Sequence, residues 1–159
     1  ITKTLLNESL NENFDNLHKL GVKIVIRGSI EKLDNSLKRK IIDAQKKTLN
    51  NKSISLVIAF DYGGRNEIVN TVKEIVKDDI KFSEINEELF NKYINKDEIP
   101  DPDLIIRTGG EYRLSNFLIW QSAYSEFYTS EVLWPDFTMS DFFDALKSYS
   151  LRSRRFGIN

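Results

Sequence analysis

At 159 residues, with 40% hydrophobic and 30% charged side chains, the chain has the length and composition of one globular domain with a sizeable core. A formal net charge of -1 excludes a protein that coats nucleic acid nonspecifically, though not a local basic pocket for a small anion. The absence of cysteine excludes disulfides, thiolate metal sites and thiol nucleophiles, and the single histidine, His18, excludes a histidine-based metal cluster.

Leu6, Leu10, Phe14 and Leu17 recur at helical spacing over residues 1–20, and Gly21 follows as a C-cap. Val22 to Ile26 then reads as a short strand. Leu37, Ile41, Ala44 and Thr48 predict an amphipathic helix over residues 35–49. The continuous apolar run SISLVIAF, residues 53–60, predicts a strand covered on both faces. DYGGR, residues 61–65, turns from that strand into a helix built on Ile68, Val69, Val72 and Val76, and it matches neither a Rossmann nor a Walker loop. A shorter helix over residues 84–94 ends before the prolines of KDEIPDPD. DLIIR, residues 103–107, is a third strand. A predicted helix over residues 116–128 follows it, and a terminal helix takes Thr138 or Ser140 as N-cap.

No stretch approaches the ~20 apolar residues of a membrane span. The alternation of strand and helix indicates an α/β fold, a parallel sheet flanked by helices, in a single domain over residues 1–159. Three strands are few for so many helices, so at least one more strand is expected from elsewhere.

In an open parallel sheet, ligands gather beyond the carboxyl ends of the strands. Arg107 ends its strand there, and Thr108, Gly109 and Gly110 can turn their N–H groups toward a common point as an anion-binding nest. Arg113 and Ser115 return on the far side of the loop, with Ser115 expected at the N-cap of the next helix, whose dipole favours negative charge. Two guanidiniums, a hydroxyl and a helix N-terminus make a candidate site for phosphate or diphosphate. The plainer alternative is an ordinary turn with solvated or ion-paired arginines. Glu126 falls among Tyr124, Phe127 and Tyr128, where an unpaired carboxylate is costly, so it either pairs with an arginine or holds a divalent cation. On the predicted helix it would lie roughly 16 Å from Ser115, too far for a small ligand to touch both. Arg152, Arg154 and Arg155 fall in the last turn of the terminal helix, where cations offset its dipole.

DLIIRTGGEYRLSNFLIWQSAYSEFY followed by LWPDF closely resembles the signature region of the cis-prenyltransferases. FDYGGRNEI and the terminal RRFG match two further signatures of that family in the same order, so the resemblance covers essentially the whole chain. It implies a homodimer that uses Mg2+ to condense isopentenyl diphosphate repeatedly onto an allylic (farnesyl) diphosphate. The implied product is undecaprenyl diphosphate, precursor of the cell-wall lipid carrier. The implied location is cytoplasmic at the inner face of the membrane, with peripheral contact through the lipid product and no nucleic-acid partner. Carried across by motif, Arg107, Arg113, Leu114 and Ser115 correspond to the isopentenyl diphosphate site and Glu126 to a glutamate associated with Mg2+. Arg155 and Gly157 fall in an Arg-x-Gly motif that reaches the partner subunit's active site.

The departures carry expectations of their own. The family's DGNGRWA run, whose aspartate is the principal Mg2+ ligand, and its Asn-Trp motif are not among the 159 residues, which open on Ile1. The chain is therefore expected to begin after both. Its catalytic residues and N-terminal strands are expected outside it, and the 159 residues alone are expected to be inactive. The alternative is a noncatalytic binding subunit of a heteromeric cis-prenyltransferase, which would have little need for an intact Arg-x-x-x-x-x-Arg-x-Ser. Smaller departures are Asp61, where the family usually has asparagine, and Tyr112, where a histidine or another polar residue is common.

Overall fold

The computed structural model describes residues 13–153. The chain falls into two compact units, Ile1–Ile99 and Pro100–Asn159, each with its own two-stranded parallel sheet.

In the first unit, α1 (Phe14–Lys19) leads through Gly21, at φ +73°, into β1 (Val22–Gly28). Residues 1–12 of the predicted first helix lie outside the described ones. The next helix, α2 (Asn35–Thr48), starts where the Asp34 side chain accepts from the Leu37 N–H, and lysines 46 and 47 occupy its last turn. Its buried residues are Leu37, Ile41, Ala44 and Thr48, the four that the spacing predicts. Leu33, Leu37 and Ile41 form a core cluster against Ile26, Ile30, Ile58 and Phe60. β1 pairs in parallel with β2 (Ile54–Phe60), from Val22 opposite Ile54 to Gly28 opposite Phe60.

The other edge of β1 is closed by side chains. Thr48 Oγ1 accepts from the Ile24 N–H at 3.0 Å, and Gln45 Oε1 accepts from the Ile26 N–H at 2.9 Å. Asn51 Nδ2 donates to the Val22 carbonyl at 2.8 Å. One helix and the turn after it thus satisfy backbone groups that would otherwise stay open. β2 has no such cover among the described residues. Ile54 is 65% and Leu56 39% exposed, which corrects the expectation of a strand buried on both faces. At the far end Gly28 sits at φ +100°, and a Cβ there would lie 2.1 Å from the Phe60 carbonyl oxygen, so only glycine fits.

After the DYGG turn, α3 (Gly64–Lys77) buries Gly64, Thr71 and Ile75. Val69, Val72 and Val76 face outward, contrary to the predicted helix face. A 3-10 turn (Phe82–Glu84) precedes α4 (Glu87–Ile94), which Asn86 caps by accepting from the Leu89 N–H and which packs on α3. Buried Arg27 on β1 ties this side of the unit together, donating to Asp97 at 2.9 Å and to Asn95 at 3.1 Å.

In the second unit, β3 (Leu104–Thr108) pairs in parallel with β4 (Glu126–Ser130), from Leu104 opposite Glu126 to Thr108 opposite Ser130. β4 replaces the C-terminal part of the helix predicted over residues 116–128. The rest of that stretch forms turns, because Ser115, Asn116 and Leu118 take left-handed φ values of 49°, 66° and 43°, which no α-helix accommodates. A 3-10 turn (Trp134–Asp136) then leads into α5 (Met139–Ser150). Thr138 is the N-cap of α5, in a reciprocal capping box with Asp141.

Candidate anion-binding site

Arg107 is the penultimate residue of β3, and the predicted diphosphate site builds up from it. Its Nη1 donates to Ser115 Oγ at 2.9 Å and also to the carbonyl oxygen of Arg113. Its Nη2 donates to Glu111 Oε2 at 2.9 Å. The Nη2 of Arg113 forms an ion pair with the same Glu111 oxygen. Arg107, Arg113 and Ser115 are therefore brought together, as the sequence predicts, around a carboxylate that sequence reasoning passed over. Glu111 stands four residues after Arg107 and two before Arg113, but outside any helix that spacing carries no contact signal.

Two expected components of the cradle are not formed. The Gly109 and Gly110 N–H groups donate to the carbonyls of Val132 and Ser130, both at 2.9 Å, so they tie the loop to the end of β4 and do not converge as a nest. Ser115 caps no helix, since residues 115–124 form turns, so the helix N-terminus expected at the site is not formed. Beside the cradle lies a cavity of about 310 Å³, which Arg113 and Leu114 share with Ile105, Tyr112 and Phe127.

Glu126 opens β4, and its carboxylate accepts from Arg152 Nη1 at 2.7 Å. The same nitrogen donates to the Phe127 carbonyl at 3.0 Å. Of the two readings open from sequence, the arginine partner is the one formed. Mg2+ takes near-octahedral oxygen coordination. Glu126 is a single carboxylate bonded to a guanidinium, and no group of three His, Cys, Asp or Glu among the described residues is arranged to hold a metal, so a cation at Glu126 would take its other oxygens from further ligands. Arg152 lies just past the end of α5, not in its last turn. Arg154, Arg155 and Gly157 lie outside the described residues.

A second cavity, of about 360 Å³, lies in the first unit at the carboxyl ends of β1 and β2. Several of its charged walls are mutually engaged. Arg27 bonds Asp97, Lys96 pairs with Glu74, and the Tyr62 hydroxyl donates to Glu67 at 2.6 Å.

Comparison with known proteins places the chain. The Prenyltransf family model, undecaprenyl diphosphate synthase, matches residues 1–157. The chain belongs to this prenyltransferase family. It is 44% identical over 157 residues to an isoprenyl transferase of Clostridium perfringens, a match covering 96% of this chain and 62% of that relative. It is 43% identical over 159 residues to the tritrans,polycis-undecaprenyl-diphosphate synthase (geranylgeranyl-diphosphate specific) of Picrophilus torridus, again covering 62% of the relative. Among solved structures it is similar to lavandulyl diphosphate synthase from Lavandula x intermedia in complex with dimethylallyl diphosphate. The TM-score is 0.90 at 31% identity, over 98% of this chain and 69% of the other. The α/β reading, with parallel strands flanked by helices, is thus the fold of the prenyltransferase family. The chain spans just under two thirds of the length of these curated relatives. No helix among the described residues is long and apolar enough to cross a membrane.

Proposed function

We propose that this chain is the isopentenyl diphosphate-binding part of a cis-polyprenyl diphosphate synthase. The whole protein condenses isopentenyl diphosphate onto an allylic diphosphate such as farnesyl diphosphate, toward undecaprenyl diphosphate. One observation carries the reading: Arg107, Arg113 and Ser115 converge beside the largely apolar cavity that Leu114 lines. That arrangement offers charge-assisted donors for a diphosphate and an apolar wall for a short hydrocarbon attached to it. Anchoring the diphosphate would fix the reacting alkene for attack, which is catalysis by positioning.

Mg2+ dependence, a homodimer in which the Arg155 and Gly157 motif reaches the partner subunit's active site, and a cytoplasmic location at the inner membrane face belong to the same reading. For the cation, Glu126 supplies one carboxylate, and further oxygens must come from the diphosphate or other ligands. The DGNGRWA aspartate of the family is absent from the 159 residues. Expressed alone, these residues should bind isopentenyl diphosphate without incorporating it. Arg107→Ala should weaken that binding by roughly 10- to 100-fold, the loss of a charge-assisted contact. Titration calorimetry with isopentenyl diphosphate, beside a radiolabel incorporation assay with farnesyl diphosphate, tests both points. Binding that is indifferent to Arg107 would sink the cradle assignment, and incorporation by the isolated 159 residues would sink the inactivity.

A further inference from the structure

Glu111 has no role in the diphosphate reading, yet it is the group on which the cradle closes. A single oxygen, Oε2, takes Nη2 of both Arg107 and Arg113. A carboxylate oxygen and a phosphate oxygen are the same kind of partner for a guanidinium, an anionic acceptor met in the guanidinium plane. Two like charges held close repel each other, and an anion between them offsets that repulsion. The Glu111 side chain is 42% exposed and stands in a loop, so it has an open path into solvent.

Resting on the diphosphate reading of this site, we propose that Glu111 is the resident anion of the cradle. It holds the two guanidiniums together while the site is empty and gives up its place when a diphosphate enters. The carboxylate competes as one negative charge. A diphosphate, with more charge and more acceptor oxygens, displaces it, whereas a lone carboxylate or a singly charged anion gains little by doing so. Glu111 is on this account a specificity-determining residue that sets a threshold of charge for entry.

The test is calorimetric titration of inorganic pyrophosphate into the intact protein in magnesium-free buffer. The chains compared are the unaltered protein, Glu111→Gln and Glu111→Ala, each with and without Arg107→Ala. Glu111→Gln keeps the shape and removes the charge, and Glu111→Ala removes the competitor altogether. Both should bind pyrophosphate about fivefold more tightly than the unaltered protein, the scale of a partly exposed ion pair released from competition, and Arg107→Ala should abolish the gain. Unchanged or weaker binding in both Glu111 variants would overturn the proposal while leaving the diphosphate reading intact, because Glu111 would then only brace the arginines. Pyrophosphate binding that ignores Arg107 in every background would overturn the diphosphate reading and this inference with it.

Discussion

Thr48 is fully buried, and its hydroxyl works in two directions. It donates to the Ala44 carbonyl at 2.8 Å and accepts from the Ile24 N–H at 3.0 Å. Thr48→Val keeps the shape but leaves that strand N–H without its acceptor, at a cost of about 1–3 kcal/mol. Urea unfolding should show a lower midpoint with an unchanged slope, and an unchanged midpoint would refute the bond's role. From sequence, Thr48 was legible as a buried helix position but not as a partner of β1, because a hydroxyl's contact with a residue 24 positions earlier in the chain leaves no periodic trace. Glu111 was missed for a related reason. A carboxylate in a polar loop reads as solvated, and only the folded loop shows that two arginines share it.

Among the elements, the capping box of α5 carries a pH signature. Hydrogen bonds from the Thr138 side chain and then from its backbone hold the Asp141 carboxyl below the usual carboxylate range. A depressed folded pKa means that this group stabilises the fold above its unfolded pKa. The contribution is lost as pH falls through the lowered folded value. Asp141→Asn should therefore flatten the acid limb of the stability curve, read as thermal midpoints over the carboxylate range, and an identical limb would exclude the contribution. Thr138 was one of two caps predicted from sequence, and α2 was legible residue for residue because Leu37, Ile41, Ala44 and Thr48 keep one helical period. The stretch 116–128 defeated the same method. Its apolar run fits a buried helix or a strand equally well, and periodicity cannot choose between them. The choice was made by the left-handed residues after Arg113 and by β3, which offers an edge to Glu126–Ser130. The 16 Å helical separation of Ser115 from Glu126 therefore has no basis in the fold. The valines of α3 failed differently: they mark an apolar face, but Thr71 and Ile75 are the residues its own unit covers.

At the scale of the whole molecule, the alternation of strand and helix was enough to read the fold class. The division into two units was not legible, since nothing in the KDEIPDPD composition distinguishes a loop within a domain from a boundary between compact bodies. β4 is a strand of these residues that the sequence reading took as helix; it pairs with β3 and leaves β2 as it was, so it is not the strand expected from elsewhere. That asymmetry has a consequence for handling the protein. β1 is sealed along its outer edge by Thr48, Gln45 and Asn51, whereas ISLVIAF in β2 has no charge, no proline and, among the described residues, no outer neighbour. Such a segment is a template on which a second molecule can lay down its own copy, the seed of cross-β growth. Concentrated solutions of these 159 residues should become turbid and take up amyloid dyes at a rate that climbs with concentration. Leu56→Lys, placing a gatekeeper charge at a partly exposed position of that strand, should slow the process several-fold by light scattering. Equal rates for the two proteins would clear β2 and move the hazard elsewhere on the surface.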